Sequence, residues 1–404
     1  MQHVFIVGSK SLGAYGGYET FVNKLTECHQ NLEEIKYHVA CKANGDGCMD
    51  ETKMEGVVSV SESEFIYHNA HCFKIHVPPM GPAGAIYYDV AALNYCCKYI
   101  KENEIANPIV YILACRIGPF AAHFKRKIHA VGGKVYVNPD GHEWMRAKWP
   151  LPVRKYWKIS ERMMVKHTDL LVCDSKNIEK YIQNEYEKYK PKTTFIAYGA
   201  DMSRSILADD DEKLQNWYRE KGLKEKEYYL VVGRFVPENN YETMIREFMK
   251  SDTKKDFALI TNVEKNKFYE MLKKTTGFEQ DSRIKFVGTV YDQELLKKIR
   301  ENAFVYFHGH EVGGTNPSLI EALSSTDLNL LLDVGFNREV GEEGALYFGK
   351  ENGKLCQLMK RAESMSEADI KELGQKAYER VKLYYSWDYI AAQYRSLFID
   401  ERGF

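Results

Sequence analysis

The chain has 404 residues, of which 44% are hydrophobic and 28% are charged, and its formal net charge is −1. A chain of this length usually folds into two domains, and its balanced charge excludes nucleic-acid binding through bulk positive charge. The N-terminus begins directly with a strand-like run, so we expect no signal peptide, and no apolar run approaches the ~18 residues of a membrane-spanning helix. Nine scattered cysteines without a Cys-x-x-Cys pair indicate free thiols in a reducing cytoplasm.

In the first half of the chain, short apolar runs alternate with helical patterns. Residues 3–8 predict a buried strand, and residues 18–30 predict the helix that follows it. Further strand-like runs occupy residues 37–42, 108–114, 134–138, 169–174 and 193–199. Helical patterns lie between several of them, at 85–104, 117–131, 153–167 and 176–189. This alternation predicts parallel βα units.

The second half repeats the alternation after a polar segment, 201–226, which we interpret as a linker and a surface helix. Its strand-like runs are 228–234, 257–261, 284–288, 303–309, 328–333 and 345–348. We therefore predict an α/β protein with two Rossmann-like parallel-sheet domains, residues 1–202 and 203–384, and a C-terminal helix within 385–404 that crosses back onto the first domain. Ligands of such sheets bind beyond the carboxyl ends of the strands, so we expect a cleft there that both domains face.

A glycine-rich loop, from Gly8 to Thr20, follows the first predicted strand. It leads into a helix whose unpaired N–H groups and positive dipole end suit a phosphate. The loop contains neither G-x-G-x-x-G nor Gly-Lys-Ser/Thr, which argues against a dinucleotide fingerprint and a P-loop. A plain glycine-rich turn is the alternative interpretation.

Arg234 stands at the end of the first strand of the second half, in "VVGRFVPENN". A guanidinium at that edge can bind a pyrophosphate through two parallel hydrogen bonds and remain charged. The alternative is a surface arginine beside a strand end.

The stretch "HEVGGTNPSLIEAL", residues 310–323, combines paired glycines with a predicted helix start. Gly313 and Gly314 let a ligand approach the backbone, and Pro317 suits the first helical position. Glu321 lies about one turn into the helix, where it either accepts hydrogen bonds from sugar hydroxyls or stabilises the helix dipole. His308 and His310 suggest a metal only if a third ligand lies within reach.

The segment from Asn138 to Lys158 follows another predicted strand and contains Asp140, His142 and Glu143, titratable groups that suit acid–base chemistry or sugar binding. Within 144–158, tryptophans and tyrosines are interleaved with arginines and lysines. This pattern is typical of an anionic membrane interface or a lipid-linked phosphate. A solvated helix with a few core tryptophans is the alternative.

Taken together, these motifs resemble those of the GT-B glycosyltransferases of the large retaining nucleotide-sugar family, family 4. "GAYGGYE", "VCDSKNI", "AYGAD", "VGRFVPE" and "GGTNPSLIEAL" are similar to the family's motifs over nearly the whole chain. Within the family, "GGYETF", "DGHEWMRAKW" and "VGGTNPSLIEAL" most resemble the bacterial rhamnosyltransferases that build capsule and cell-wall polysaccharide.

Two positions depart from the family pattern. The first glutamate of the Glu-x7-Glu motif would fall at Gly313, and Glu311 stands two residues earlier. The lysine usually found five residues after the motif arginine is Asn239. The family roles of these two side chains therefore do not transfer to this chain.

The resemblance implies a metal-independent retaining transfer, with L-rhamnose moving from dTDP-L-rhamnose to a lipid-linked saccharide. It implies a cytoplasmic enzyme, peripheral at the inner face of the plasma membrane, with no cofactor beyond the donor. The implied donor-binding residues are Gly16, Gly17, Arg234, Gly313, Gly314, Thr315, Asn316 and Glu321. The implied acceptor-side residues are Glu19, Asp140, His142, Glu143 and Arg146. The residues nearest the chemistry are expected to be Arg234, Glu321, Asp140 and His142.

Several functions remain open at this stage. A UDP-hexose transferase would use the same scaffold with another donor, and a GT-B epimerase or phosphorylase would act with no saccharide acceptor or with free phosphate. The missing fingerprint disfavours a nicotinamide dehydrogenase. The departures at Gly313 and Asn239 also suit a non-catalytic sugar- or nucleotide-binding protein.

Overall fold

The computed structural model describes residues 1–13, 16–146, 149–263 and 265–399. It divides into two units, Met1–Gly199 with the C-terminal segment from Trp387, and Ala200–Ser386. No helix in the described ranges is both long and apolar enough to span a bilayer. All nine cysteines are free thiols, as predicted.

The strands of the first unit are β1 (Gln2–Val7), β2 (Ile35–Lys42), β3 (Val58–Ser59), β4 (Glu64–Tyr67), β5 (Ala70–Ile75), β6 (Ile109–Leu113), β7 (Lys134–Asn138), β8 (Leu170–Cys173) and β9 (Thr193–Phe195). Those of the second are β10 (Tyr228–Val232), β11 (Asp256–Ile260), β12 (Ile284–Gly288), β13 (Val305–His308), β14 (Asn329–Leu332) and β15 (Leu346–Phe348).

The helices up to the middle of the chain are α1 (Gly17–His29), α2 (Gly84–Glu102), α3 (Gly118–His129), α4 (Leu151–Lys166), α5 (Lys176–Glu185), α6 (Glu212–Lys221) and α7 (Tyr241–Met249). The remaining ones are α8 (Lys267–Thr276), α9 (Gln293–Glu301), α10 (Pro317–Ser325), α11 (Gly335–Gly341), α12 (Lys354–Glu363), α13 (Glu367–Tyr384) and α14 (Trp387–Ile399).

The sheet of the first unit has the strand order β3-β4-β5-β2-β1-β6-β7-β8-β9. In the order β5-β2-β1-β6-β7-β8-β9, neighbouring strands pair in parallel, whereas β3 with β4 and β4 with β5 pair antiparallel. The chain runs from β1 to β2 on one side and later returns to β6 on the other side. The strand order therefore reverses between β1 and β6.

Helices cover both faces of this sheet. The apolar sides of α2, α3, α4 and α5 share one buried cluster with the strands. On the opposite face α14 packs on α1, where the ring of Tyr394 lies 5.2 Å from that of Phe21 and its hydroxyl is 3.0 Å from that of Tyr111. The C-terminal helix thus belongs to the first unit, and burial on both faces explains why the central strands are apolar throughout.

The hairpin of β4 and β5 was not predicted from the sequence. His68 and Asn69 connect these strands and both have positive φ, 47° and 57°, as a two-residue type I′ turn requires. The dipeptide His-Asn is a weaker signal for this turn than Asn-Gly, and the strands are short, so the pattern did not distinguish them.

The sheet of the second unit is wholly parallel, with the order β12-β11-β10-β13-β14-β15. Neighbouring residues of β10 enter opposite cores, Tyr229 with α7 and α12, and Tyr228 with α6 and α9. The strand order reverses between β10 and β13. The predicted α/β class with two parallel-sheet domains is confirmed.

Candidate functional site

Two loops meet at the strand-order reversal of the second unit. Gly233 and Arg234 follow β10, and the segment 309–316 follows β13, which pairs directly with β10. Ligands of open α/β sheets bind where neighbouring connections leave the carboxyl edge in opposite directions. The fold therefore places Arg234 and the glycine segment, predicted from distant parts of the sequence, on adjoining loops.

Arg234 is exposed, and it forms no ion pair with any residue in the described ranges. Its backbone carbonyl accepts a hydrogen bond of 2.7 Å from the side-chain amide of Asn239. A guanidinium that no neighbouring carboxylate neutralises is available to an anion at this edge.

Asn239, at the position where a lysine was expected, connects the two loops. Its amide nitrogen donates to Arg234, and its amide oxygen lies 2.8 Å from Nδ1 of His310. The sequence contained no signal for this contact, because residues 239 and 310 are remote in the chain.

The backbone of the turn at 237–240 reinforces this connection. The side chain of Asn240 donates to the carbonyl of Gly309 over 2.8 Å, and the amide of Glu311 donates to the carbonyl of Glu238 over 3.1 Å. A Cβ on Gly309 would lie 2.3 Å from the carbonyl oxygen of Asn239, so only glycine permits this approach.

The glycine segment turns sharply before α10. Gly313 has a φ of 129°, a conformation that a residue with a side chain rarely adopts. Thr315 is buried. Asn316 caps α10, its side chain accepting a hydrogen bond from the amide of Ser318, and Pro317 is the first helical residue. The predicted helix start is therefore present where the sequence placed it.

Glu321 forms an ion pair that the sequence analysis missed. Its Oε2 lies 2.7 Å from Nη2 of Arg300, whose side chain is 4% exposed, whereas that of Glu321 is 39% exposed. Glu321 is the fifth residue of α10, beyond the first turn, so the helix dipole contributes little. The buried arginine on α9 instead fixes a carboxylate that remains accessible.

Glu311, two residues before the position of the missing first glutamate, is paired with Lys350. Lys350 follows β15, so this ion pair joins the loops after β13 and β15. The carboxylate therefore stands beside a cation that partly neutralises it.

His308 is buried, and burial together with the neighbouring His310 lowers its pKa well below the usual value. The ring is consequently neutral at physiological pH. Its Nε2 has no hydrogen-bond partner among the described residues. The described part of the chain contains no group of three or more His, Cys, Asp or Glu side chains arranged to hold a metal ion.

In the first unit, Arg116 lies at the reversal between β1 and β6 and was also missed by the sequence analysis. Its Nη1 donates to both carboxylate oxygens of Asp89, at 3.2 and 3.0 Å, and to the carbonyl of Gly8 at 3.1 Å. Burial raises the pKa of Asp89, and the charge of Arg116 opposes that rise. This ion pair, in which Asp89 is fully buried and Arg116 partly buried, fixes the start of the glycine loop.

The side chain of Glu19 forms its contacts within its own loop. It is buried, and its Oε1 accepts a hydrogen bond of 2.8 Å from the amide of Lys10. A Cβ on Gly16 would lie 1.9 Å from Oε2 of Glu19, whereas a Cβ on Gly17 would meet nothing within 4 Å. Part of the predicted motif, residues 14 and 15, lies outside the described residues.

The remaining acceptor-side candidates share one loop after β7. Asp140 and His142 have positive φ values of 59° and 48°, a strained conformation that clusters at functional sites. The amide of Gly141 donates to Oδ1 of Asp140 over 2.8 Å. Arg146 pairs with Glu143, and its Nη2 lies 3.9 Å from Oδ1 of Asp140.

His142 lies with its ring centroid 4.2 Å from that of Tyr181. Burial lowers the pKa of His142, and the charge of Lys158 lowers it further. The imidazole is therefore mainly neutral near pH 7, which suits a hydrogen-bonding or proton-accepting role better than a cationic one.

The chain can be compared with known protein families and with curated protein sequences. The sequence profile of a family described as "Domain of unknown function (DUF1972)" matches residues 1–201, just under half of the chain. No match was found among curated protein sequences.

Solved structures match over the whole chain. Sucrose-phosphate synthase from Thermosynechococcus elongatus has a TM-score of 0.74 at 16% identity, over 98% of this chain and 99% of that one. Anabaena HepE in complex with UDP has a TM-score of 0.69 at 12% identity, over 98% and 99% of the two chains. An E. coli structure described as "Trehalose-6-phosphate … bound with UDP-2-fluoro glucose" has a TM-score of 0.70 at 11% identity, again over 98% and 99%.

The chain has the GT-B fold. At these identities the likeness establishes the architecture and leaves substrate and activity to be argued from the residues.

Proposed function

We propose that this protein is a retaining glycosyltransferase that transfers L-rhamnose from dTDP-L-rhamnose to a lipid-linked saccharide during bacterial surface polysaccharide synthesis. The observation that carries the transferase proposal is the pair of loops at the β10–β13 reversal, where Arg234 lacks an ion-pair partner among the described residues and adjoins the glycine segment before α10. The structural neighbours described as bound to UDP or UDP-2-fluoro glucose support a nucleotide-sugar as donor.

Each donor-side residue has a role in this proposal. Arg234 stabilises the charge that develops on the departing nucleoside diphosphate, together with backbone amides of 313–316. Glu321 accepts a hydrogen bond from the 3′-hydroxyl of the sugar of the nucleoside. The open backbone at Gly313 and Gly314 takes the place of the side chain that usually contacts the donor sugar.

The acceptor is proposed to bind the first unit, near Asp140 and His142. In the transfer, the bond between the anomeric carbon and the donor phosphate oxygen breaks, and a bond to the acceptor hydroxyl oxygen forms on the same face. The acceptor proton passes to a donor phosphate oxygen, so no protein side chain need accept it. No metal is required if Arg234 and the amides neutralise the diphosphate.

A UDP-hexose donor is the second candidate, because two of the similar structures contain UDP or a UDP-sugar. Melting of the protein in the presence of UDP-, dTDP- and GDP-sugars separates the two. A preferential shift with dTDP-L-rhamnose supports the rhamnosyl proposal, and a preferential shift with a UDP-hexose replaces it. If no nucleotide-sugar shifts the melting temperature, the transferase proposal fails.

Within the predicted membrane-contact segment, 144–158, two cations make contacts inside the protein. Arg154 donates through Nε to the carbonyl of Trp144 over 2.7 Å. Lys158 pairs with Glu185 at 2.8 Å, and its ammonium lies 4.7 Å from the centroid of the Trp144 ring. Arg154 and Lys158 therefore stabilise the fold of this segment and are less available to a membrane surface.

The exposed side of α4 is formed by other residues, which recur every three or four positions: Leu151, Lys155, Ile159, Arg162 and Lys166. Leu151 is 69% exposed and Ile159 is 48% exposed. The helix contains one acidic residue, Glu161, which is buried. We propose that this side lies against the anionic inner face of the plasma membrane, since it combines aliphatic side chains with cations.

The proposal is tested with vesicles that contain anionic lipid. Replacing Lys155, Arg162 and Lys166 by glutamine should weaken binding by about 100-fold, since each cation contributes about 1 kcal/mol near such a surface. The matched control replaces three exposed lysines of the second unit, Lys360, Lys371 and Lys382, and should bind as the parent does. Equal binding by both triple variants would contradict the proposal.

A further inference from the structure

Two charged side chains lie at the reversal of strand order in the first unit. We propose that Arg116, which follows β6, and Asp140, which follows β7, together bind two neighbouring hydroxyl groups of a neutral sugar. Under the proposed function this sugar belongs to the saccharide acceptor. The inference therefore rests on that function and specifies which groups of the acceptor are recognised.

The guanidinium of Arg116 is engaged by the protein through Nη1 alone. Nη1 donates to the carboxylate of Asp89 and to the carbonyl of Gly8, which uses both of its hydrogens. Nε and Nη2 form no hydrogen bond with any described residue, and neither of them is a buried atom without a partner. Because the side chain is 18% exposed, the edge formed by these two nitrogens can donate to a ligand.

The carboxylate of Asp140 is engaged through one of its two oxygens. Oδ1 accepts a hydrogen bond of 2.8 Å from the amide of Gly141 and lies 3.9 Å from Nη2 of Arg146. Oδ2 accepts no hydrogen bond within the part of the chain that the structure describes, and the side chain is 25% exposed. The amide of Asp140 donates to the buried side chain of Asn138 over 2.8 Å, so the backbone that carries this carboxylate is held in place.

The position of Tyr18 indicates that both charges face the same place. β6 and β7 are neighbours in the sheet, with Leu113 paired to Asn138 at their carboxyl ends. The hydroxyl of Tyr18 lies 3.5 Å from Oδ1 of Asn138, the same oxygen that accepts from the amide of Asp140. Burial raises the pKa of the Tyr18 phenol, Asp140 raises it further, and the charge of Arg116 opposes the rise. Arg116 and Asp140 therefore both lie near this one phenol ring.

The charges around this place favour a neutral ligand over a phosphate. Arg116 forms an ion pair with the fully buried Asp89, and Arg146 forms one with Glu143. Asp140 is then left as an excess negative charge, which repels an anion. A neutral hydroxyl carries no such penalty, because it can donate its hydrogen to the carboxylate.

Neighbouring hydroxyls on a sugar ring match this pair of side chains. Each hydroxyl both donates and accepts, whereas a guanidinium only donates and a carboxylate only accepts. One hydroxyl therefore accepts from Arg116 while the next donates to Oδ2 of Asp140. A site of this kind should reject an analogue that lacks either hydroxyl, since a polar group of the protein would then be left without a partner.

Ligand-observed NMR of the full chain in the presence of dTDP tests this assignment. The probes are the methyl glycosides of glucose, galactose and N-acetylglucosamine, together with the corresponding sugar 1-phosphates. The N-acetylglucosaminide has a single pair of neighbouring hydroxyls, at carbons 3 and 4, so its 3-deoxy and 4-deoxy analogues test the pair directly. Each analogue should bind the parent about tenfold more weakly or worse.

Two variants test the protein side of the contact. Arg116→Lys keeps the charge beside Asp89 but lacks the second donor edge, and Asp140→Asn keeps an oxygen for the amide of Gly141. Each should weaken binding of the neutral glycosides by about tenfold or more. The matched control is Arg283→Lys, at an ion pair with Asp281 in the second unit, and it should bind as the parent does. If Arg116→Lys does not fold, Asp140→Asn, on a partly exposed loop, decides.

The outcomes separate this inference from the proposed function. If the parent binds a neutral glycoside and the folded variants bind it equally well, the inference is overturned and the proposed function stands. The inference is also overturned if the sugar 1-phosphates bind about tenfold more tightly than the neutral glycosides, or if the parent binds none of these probes. The donor site is tested separately by the melting shifts with nucleotide-sugars, and their absence would refute the proposed function whatever the glycosides do.

Discussion

In the proposed function, the ion pair between Arg300 and Glu321 would hold the carboxylate that recognises the sugar of the nucleoside. The two charges are 2.7 Å apart, and the environments of the partners differ, since Arg300 is almost wholly buried and Glu321 is partly exposed. Removing one partner should therefore have a different effect from removing the other. In the proposed function, Arg300 would act as a positioning residue, and Glu321 would be the group that contacts the ligand.

The structure allows the effects on stability to be estimated. Glu321→Ala leaves a buried guanidinium without its ion-pair partner, which should cost about 1–3 kcal/mol and lower the melting temperature by about 2–10 °C. Arg300→Met leaves a carboxylate that can turn toward water, so its electrostatic cost should stay under about 1 kcal/mol. Arg300→Met/Glu321→Leu should be more stable than Glu321→Ala, because no charge remains unpaired.

Ligand binding provides the second assay. If Glu321 accepts the 3′-hydroxyl, the parent should prefer dTDP over its 3′-deoxy analogue by about 10- to 150-fold, the value of one hydrogen bond to a charged group. Arg300→Met and Glu321→Ala should each lose most of that preference. The double variant Arg300→Met/Glu321→Leu should lose no more of it than either single variant. A full preference retained by Arg300→Met would refute the positioning role, and no preference in the parent would refute the role of Glu321.

Two further predictions concern other parts of the molecule. Arg234→Ala should lower turnover by about 100-fold or more with saturating donor, as loss of transition-state charge stabilisation does, whereas the exposed Arg204→Ala should turn over as the parent does; equal rates would exclude a role for Arg234 at the phosphate. In the first unit, burial lowers the pKa of His38 to about 2, and the charges of His71 and His3 contribute to this shift. The folded protein therefore keeps this ring neutral, whereas the unfolded chain protonates it below about pH 6.5. The free energy of unfolding should therefore fall by about 1.4 kcal/mol per pH unit from this residue as the pH drops below about 6, and melting curves of His38→Leu should depend less on pH; identical pH dependence would contradict this.

The sequence was sufficient for the features that depend on local pattern. The glycines that follow β1 and β10 placed two of the candidate loops at the ends of these strands. The alternation of strands and helices was likewise enough for the parallel sheets. The hairpin of β4 and β5 was missed because its strands are short and its turn, His68 and Asn69, lacks the usual glycine.

The sequence could not supply the contacts between residues that are distant in the chain. Arg300 precedes Glu321 on a different helix, and nothing in its neighbourhood marks it as a partner. The same holds for Arg116, whose pairing with Asp89 depends on how α2 packs on the sheet. The sequence pattern identified the candidate ligand-binding residues, and the tertiary structure revealed the charged residues, Arg300 and Arg116, that hold parts of the candidate site in place.

The two departures from the expected motifs are linked by the structure. Gly313 adds no side chain beside His310, since a Cβ built at position 313 would lie 3.5 Å from Nε2 of that ring. Asn239 in turn presents an oxygen to Nδ1 of the same ring, which a lysine would not do. An acidic side chain at 313 and a basic one at 239 are both absent, so the local charge differs little from that of the expected motifs. In their place, Asn239 joins the loops after β10 and β13 through its contacts with Arg234 and His310.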